Sequence, residues 1–266
     1  MLTFLKLGGS LITDKDNPHT ARPEAIRRLA DEILAARHTH PDMQLVIGHG
    51  SGSFGHMPAR KYGTRDGVHS PEEWLGFQEV WQEARALNQI VMEILAQADL
   101  PVVSFPPSAV ITAQNGQVQS WDTAPLRAAL AAGLIPLIYG DVIFDTVRGG
   151  TILSTEELFF HLTPILSPQR ILIAGIENGV WQDYPARTSL IKTITPSTFD
   201  EITLSLKGSQ SVDVTGGMLA KVQSMVDLAA AHPGLEVLIF SGSQTGTLTQ
   251  AISGQNPGTC ISSKTS

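Results

Sequence analysis

The sequence contains too little of several features to fit whole classes of protein. It has one cysteine, Cys260, which excludes a disulfide framework or a cysteine-based zinc cluster and fits a reducing compartment. No hydrophobic run approaches the ~20 residues of a membrane-spanning helix, and the N-terminus lacks the basic start and cleavage region of a signal peptide. With 18 basic against 25 acidic residues, the net charge of −7 argues against a nucleic-acid partner. These absences predict a cytoplasmic protein with neither a nucleic-acid nor a membrane partner.

The spacing of apolar segments predicts an α/β fold in a chain of 266 residues, enough for one large domain or two small lobes. Short apolar runs typical of strands buried on both faces lie at Leu2–Leu7, Gln44–Ile47, Leu134–Tyr139, Arg170–Ala174 and Leu235–Phe240. Helical patterns lie between them at 23–37, 71–98, 124–132 and 217–231. This alternation predicts an open αβα sandwich with a mostly parallel central sheet. The polar segment Ser205–Ser211 is predicted to be a loop. Pro164–Pro168 marks a boundary between an acceptor-binding lobe, 1–165, and a nucleotide-binding lobe, 166–266, that share one sheet.

Three glycine-rich segments lie at or near the predicted carboxyl ends of strands, where ligands collect in open parallel sheets. They are KLGGS at Lys6–Ser10, GHGSGSFGH at Gly48–His56 and DVTGGMLAK at Asp213–Lys221. Glycine lets backbone amides approach an anion closely, and Lys6, Lys15 and Lys221 would add charge for a phosphate. The alternative for each segment is a tight turn flanked by solvated lysines.

Other candidate motifs are weaker. The eight histidines lack metal-ligand spacing, so no metal site is predicted on the chain. Glu156 and Glu157 are adjacent, and neighbours on a helix do not share a face. The aromatic stripe of Trp74, Phe77 and Trp81 is typical of core, with an apolar substrate wall as the alternative.

The three glycine-rich segments, in this order, resemble those of the amino acid kinase superfamily and, within it, of the isopentenyl phosphate kinases. The resemblance spans nearly the whole chain and includes YGDVIFD at Tyr139–Asp145. It implies ATP-dependent phosphorylation of isopentenyl phosphate to isopentenyl diphosphate in isoprenoid biosynthesis. It also implies Mg²⁺ with the ATP, and a homodimer.

The resemblance implies a role for particular residues. The catalytic group is Lys6, Lys15, His56 and Lys221. The ATP contacts are Lys6, Gly8, Gly9, Ser10, Gly52, Ile176, Trp181, Gly216 and Lys221, with Lys15 beside them. The acceptor contacts are Ser51, His56 and Thr155.

The chain departs from the family pattern in two places. Where many relatives carry SGDD, it has Ser-Thr-Glu-Glu at 154–157. We therefore expect a glutamate, either Glu157 or Glu156, to replace the aspartate that organises the lysines, and Thr155 to stand where a glycine amide faces the substrate. Where the family has DVDGVY, this chain has IENGVW at 176–181, which changes the nucleotide side of the second lobe.

The chemistry is consistent with these residue types. A phosphate monoester has a second pKa of about 6, so its oxygen is already anionic near neutral pH and needs no general base. The obstacle is bringing two anions together, which lysines and backbone amides offset. Three alternatives stay open: a kinase for a phosphonate, carbamate or amino acid; a non-catalytic nucleotide-binding protein; and an α/β domain without a phosphate site. Of the small acceptors, His56 favours a phosphate or a phosphonate.

Overall fold

The computed structural model describes residues 1–207 and 217–263. Its strands are β1 (Leu2–Leu7), β2 (Gln44–His49), β3 (Val102–Ser104), β4 (Ile111–Gln114), β5 (Gln117–Trp121), β6 (Ile135–Tyr139), β7 (Asp141–Asp145), β8 (Gly149–Leu153), β9 (Arg170–Gly175), β10 (Val180–Trp181), β11 (Leu190–Ile191), β12 (Thr193–Ile194), β13 (Glu236–Ser241) and β14 (Thr259–Ser262). Its helices are α1 (Gly9–Ile12), α2 (Pro23–Thr39), α3 (His56–Tyr62), α4 (Pro71–Gln97), α5 (Pro107–Val110), α6 (Ala124–Ala131), α7 (Thr155–Leu166), α8 (Pro196–Lys207), α9 (Gly217–Ala231) and α10 (Thr247–Ile252).

The central sheet has eight strands in the order β12-β14-β13-β9-β1-β2-β6-β3. Only the β13–β14 pair is antiparallel, so the predicted mostly parallel sheet is confirmed. A second sheet of four strands, β5-β4-β7-β8, and the β10–β11 hairpin were not predicted from the sequence. The carboxyl ends of β1, β2 and β9 lie side by side, which brings the first two glycine-rich loops together.

Both faces of the central sheet are covered, as alternate side chains of β1 illustrate. Leu5 and Leu7 pack into a core cluster that contains residues of α2, α4 and α10. Phe4 points to the opposite face and packs into a second cluster with residues of α6, α7 and α9. All three side chains are fully buried. The predicted open αβα sandwich is therefore confirmed.

Two helices that border the candidate site begin with the same local motif. At α4, the Ser70 hydroxyl accepts from the Glu73 amide at 3.2 Å, and the Glu73 carboxylate accepts from the Ser70 amide at 2.7 Å. At α7, Ser154 and Glu157 repeat this exchange at 3.3 and 2.7 Å. Each pair satisfies amides that a helix start leaves without partners, so the first residue of each helix is well defined.

The proposed lobe boundary does not divide the sheet, because β1 of the first lobe pairs with β9 of the second. The division at residue 165 stays a prediction. The loop predicted at Ser205–Ser211 is wrong over residues 205–207, which continue α8, since no glycine or proline interrupts the chain before Gly208. Residues 208–211 lie outside the described part of the chain. Among the described residues, no helix has the length and hydrophobicity needed to cross a membrane.

Candidate active site

A cleft of about 830 Å³ opens along the carboxyl ends of the central strands. The first glycine-rich loop lines its middle with Lys6, Gly9 and Ser10, and the second loop adds Ser51 and Gly52. The sequence places glycines where these strands end, so backbone atoms rather than side chains form this wall.

The two loops pack backbone against backbone. A Cβ atom at Gly9 would overlap the amide nitrogen of Gly52, and Gly52 itself has a φ of +53°, which favours glycine. Thr13 connects the loops, because its hydroxyl donates to the Gly9 carbonyl at 2.7 Å and accepts from the Ser53 amide at 3.0 Å. Sequence reasoning missed Thr13. Its spacing of one helical turn from Gly9 was the available signal.

Gly8 contributes to the site indirectly. Its amide donates to the Ala174 carbonyl at 2.8 Å, which ties the first loop to the end of β9. That hydrogen bond uses the amide that we expected to face an ATP phosphate. Gly8 lines the cleft, but its contribution is to shape the loop that presents Gly9 and Ser10.

Lys6, Glu156 and Lys221 form the charged centre of the cleft. The Lys6 ammonium contacts the Glu156 Oε1 atom directly, and the Lys221 Nζ atom lies 3.4 Å from the same oxygen. The side chains of Lys6 and Glu156 are only 10% and 8% exposed, whereas that of Lys221 is 56% exposed. Thus two lysines far apart in sequence converge on one buried carboxylate.

The pKa directions follow from this arrangement. Burial lowers the pKa of Lys6, and the adjacent carboxylate of Glu156 offsets part of that fall. Burial raises the pKa of Glu156, but the ammonium groups of Lys6 and Lys221 outweigh it and hold the value at about 2. Glu156 is therefore ionised at neutral pH, and its charge favours the protonated form of Lys6.

Of the two candidate glutamates, it is Glu156 that contacts the lysines, whereas Glu157 has other partners. Its Oε1 atom accepts from Arg65 Nη2 at 2.7 Å, and its Oε2 atom accepts from the Ser154 amide at the start of α7. Successive helix residues point about 100° apart, so only one of the two glutamates faces the cleft. The start of α7 at Thr155 makes that residue Glu156.

Most of the other predicted residues border the same cleft, whose lining includes Lys15, Ser51, Thr155 and Ile176. The Thr155 hydroxyl is already engaged, because it donates to the His49 carbonyl at 2.6 Å. Trp181 does not line the cleft. Its indole nitrogen donates to Glu177, a residue that does line it.

Two other predicted residues, His56 and Gly216, lie partly or wholly outside the described part of the chain. His56 is the first residue of α3, next to Gly55 in the cleft wall, and its side chain lies outside the described part of the chain. Gly216 also lies outside the described residues, one position before α9 begins.

One end of the cleft is apolar. It lies on the β2 side of β1, and Ala59, Val80, Ala84 and Ile152 line it, with Arg60 and Arg65 among the polar residues. The predicted aromatic stripe does not line the cleft but packs in a small hydrophobic cluster behind Val80, which supports its core interpretation: Trp74, Phe77 and Trp81.

Two buried titratable groups beside the cleft were not identified as such from the sequence. His49 is buried, which lowers its pKa to about 4, and its ring stacks on that of Tyr139 at 5.3 Å between centroids. Its Nε2 atom lies 3.4 Å from the Asn88 side-chain oxygen. Asp141 lines the cleft, and burial raises its pKa to about 6 despite a hydrogen bond from the Ser108 amide.

Three kinds of comparison with known proteins give consistent findings. The family model described as "Amino acid kinase family" matches residues 1–241. The chain is 32% identical to the isopentenyl phosphate kinase of Methanocaldococcus jannaschii over 98% of both proteins. It is 33% identical to the isopentenyl phosphate kinase of Haloferax volcanii, again over 98% of both. A solved structure of an isopentenyl phosphate kinase superposes with a TM-score of 0.82 at 30% identity, covering 98% of this chain and all of that one.

Proposed function

The chain belongs to the amino acid kinase family and, within it, to the isopentenyl phosphate kinases, and on that premise we propose how its cleft works. It transfers the γ-phosphoryl group of ATP to the phosphate of isopentenyl phosphate. The products are isopentenyl diphosphate and ADP. The observation that carries the proposal is the convergence of Lys6 and Lys221 on Glu156 beside two glycine-rich loops.

The transfer needs positive charge at the point where two anions meet. An acceptor phosphate oxygen forms a bond to the γ-phosphorus while the bond from that phosphorus to the β-phosphate oxygen breaks. Lys6 and Lys221 would stabilise the charge of the transferring group, and Glu156 would hold the two ammonium groups together before the substrates bind. No proton has to leave the nucleophile, because the acceptor phosphate is largely dianionic near pH 7.

The two ends of the cleft differ in the ligand they suit. The apolar end on the β2 side, lined by Val80 and Ala84, matches a branched five-carbon chain. The opposite end, beside β9 and β13, is lined by Ile176, Glu177 and Met225 and suits a nucleoside. This orientation places the acceptor phosphate near Ser51 and the start of α3, where the resemblance assigns contacts to Ser51 and His56. Thr155 then acts through the backbone of His49.

Mg²⁺ enters this proposal as a companion of the nucleotide. Mg²⁺ in kinases is bound by one or two carboxylates together with substrate phosphates and water. Among the described residues, no three acidic, histidine or cysteine side chains form a cluster that could hold a metal ion. The carboxylate nearest the reaction, Glu156, is taken up by two lysines. We therefore assign the ion to the ATP phosphates.

An acceptor panel tests the reaction. ADP release is measured with Mg²⁺-ATP and isopentenyl phosphate, a short alkyl phosphonate, carbamate or an amino acid, and the product is identified by ³¹P NMR. We expect isopentenyl phosphate to exceed the others in kcat/KM by about 100-fold or more. A higher value for any other acceptor would overturn the acceptor assignment, and ATP binding without turnover would favour the non-catalytic alternative. Light scattering of the purified chain tests the proposed homodimer.

A further inference from the structure

Glu177 is a carboxylate in the cleft that the proposed transfer does not use. It lies two residues beyond Gly175, the last residue of β9, at the same sheet edge as the glycine-rich loops. In the order of the sheet, β9 and β13 lie on one side of β1, whereas the apolar acceptor end lies on the other. Its side chain is 27% exposed and lines the cleft at the nucleotide end.

Two neighbours hold the Glu177 carboxylate in place. Trp181 donates its indole N–H to Oε2 at 3.0 Å, and Arg187 donates from Nη2 to Oε1 at 2.6 Å. A carboxylate has about four lone-pair sites, so both oxygens keep acceptor capacity for a ligand. The guanidinium of Arg187 also offsets the negative charge, which lets this carboxylate face a polyanionic ligand.

We propose that Glu177 binds the ribose of the nucleotide by accepting hydrogen bonds from its hydroxyl groups, with Trp181 and Arg187 as positioning residues. This inference rests on the proposed function. A vicinal diol offers two donors to an acceptor-only carboxylate, whereas the phosphates offer negative charge and few donors. The apolar lining at this end, Ile176 and Met225, suits the flat face of a base and leaves Glu177 for the sugar.

The carboxylate and the indole are features of this chain rather than of the family pattern. The resemblance predicts DVDGVY where this chain has IENGVW, so valine and tyrosine are expected where Glu177 and Trp181 occur. The two exceptional residues hydrogen-bond to each other. The paired change at these two positions supports a ribose contact that is specific to this chain.

Calorimetric titration without an acceptor tests the inference. The wild-type protein is titrated with ATP, 2′-deoxyATP and 3′-deoxyATP, and we expect at least one deoxy analogue to bind about tenfold more weakly, the effect of one net hydrogen bond. In Glu177→Ala the ratio of the Kd of that deoxy analogue to the Kd of ATP falls to about one, and Glu177→Gln gives an intermediate ratio. Trp181→Phe keeps an aromatic ring at this position but removes the N–H donor, so it also lowers the discrimination.

The control is Asp183→Asn, in the connection between β10 and β11. The Asp183 carboxylate accepts hydrogen bonds from the Thr188 and Ser189 amides and does not line the cleft. This variant should bind all three nucleotides as the wild type does. Unchanged discrimination in Glu177→Ala, or an equal fall in Asp183→Asn, overturns the ribose contact. Unchanged discrimination in Trp181→Phe overturns its positioning role. A wild-type protein that binds no ATP contradicts the proposed function instead, so the two failures are distinguishable.

Discussion

Replacing Glu156 by glutamine tests the charged centre of the cleft most directly. The substitution keeps the size of the side chain and removes its charge. Glu156 is 8% exposed and contacts two ammonium groups, so this is the loss of one partner from a buried ion pair, which typically costs about 3–5 kcal/mol. The protein avoids part of that cost if Lys6 releases its proton, because burial already lowers the pKa of Lys6.

If Lys6 releases its proton, positive charge is lost from the transition state, and if it stays protonated, the two ammonium groups lose the carboxylate that fixes their positions. One preorganised stabilising group is worth about 2.7–4 kcal/mol, which corresponds to roughly 100- to 1,000-fold in kcat. We expect a loss of that size in Glu156→Gln, and a smaller loss toward the acid end of the pH range, because lower pH favours the protonated form of Lys6, whose pKa burial lowers. The measurement is kcat at saturating ATP and isopentenyl phosphate from pH 6 to 9, with circular dichroism and thermal unfolding to monitor the fold.

The adjacent residue provides the matched control. Glu157→Gln makes the same chemical change, but Glu157 pairs with an exposed arginine, and such pairs contribute about 0–1 kcal/mol. Glutamine also supports a capping box, so the start of α7 is retained. The reasoning is refuted if Glu156→Gln turns over at near the wild-type rate with an unchanged pH profile, or if Glu157→Gln loses as much activity.

Three further outcomes follow from the cleft. Thr13→Val removes the hydroxyl that joins the loops by donating to Gly9 in the first and accepting from Ser53 in the second, and we expect about 1–3 kcal/mol lower unfolding free energy and a higher Kd for ATP. The control is Thr39→Val, which removes a hydroxyl hydrogen bond at the end of α2. Val80→Ala enlarges the acceptor end and should raise kcat/KM for a ten-carbon prenyl phosphate several-fold relative to isopentenyl phosphate, whereas Val91→Ala, buried elsewhere on α4, should leave that ratio unchanged. Burial raises the Asp141 pKa from 3.8 to about 6, so the wild type loses about 3 kcal/mol of stability as pH rises from 4 to 6 and keeps that cost above pH 6. Asp141→Asn does not carry this cost. Measured by urea unfolding, its free energy of unfolding relative to wild type should therefore be about 3 kcal/mol more favourable at pH 7.5 than at pH 4. The same difference between variant and wild type at both pH values would contradict the prediction.

The central sheet and its glycine-rich loops were predictable because long apolar runs identify strands buried on both faces. The second sheet was not, since β5 (Gln117–Trp121) is short and half polar. Its hairpin did leave a signal. Asn115 and Gly116 both adopt positive φ, and Asn-Gly between two short strands is typical of a tight β-hairpin.

Which of Glu156 and Glu157 faces the cleft depends on where α7 begins, and the sequence indicates that position. Ser154 and Glu157 have the spacing of a capping box, which turns Glu157 back towards the Ser154 amide. Glu156 is then the residue free to face the cleft. The contact of Thr13 with the Ser53 amide and that of Glu177 with Arg187 depend on how separate segments meet in three dimensions, which local sequence patterns do not predict.

The contact between Gly9 and Gly52 has a consequence for how this enzyme can vary. Peptide atoms of the two glycine-rich loops meet at this contact, so any side chain at Gly9 or Gly52 would force the loops apart. Substitutions at residues farther along the cleft can change the substrate preference while the spacing of the reacting groups stays constant. Directed evolution for new acceptors should therefore recover changes near Val80 or Ile152 and leave these glycines untouched.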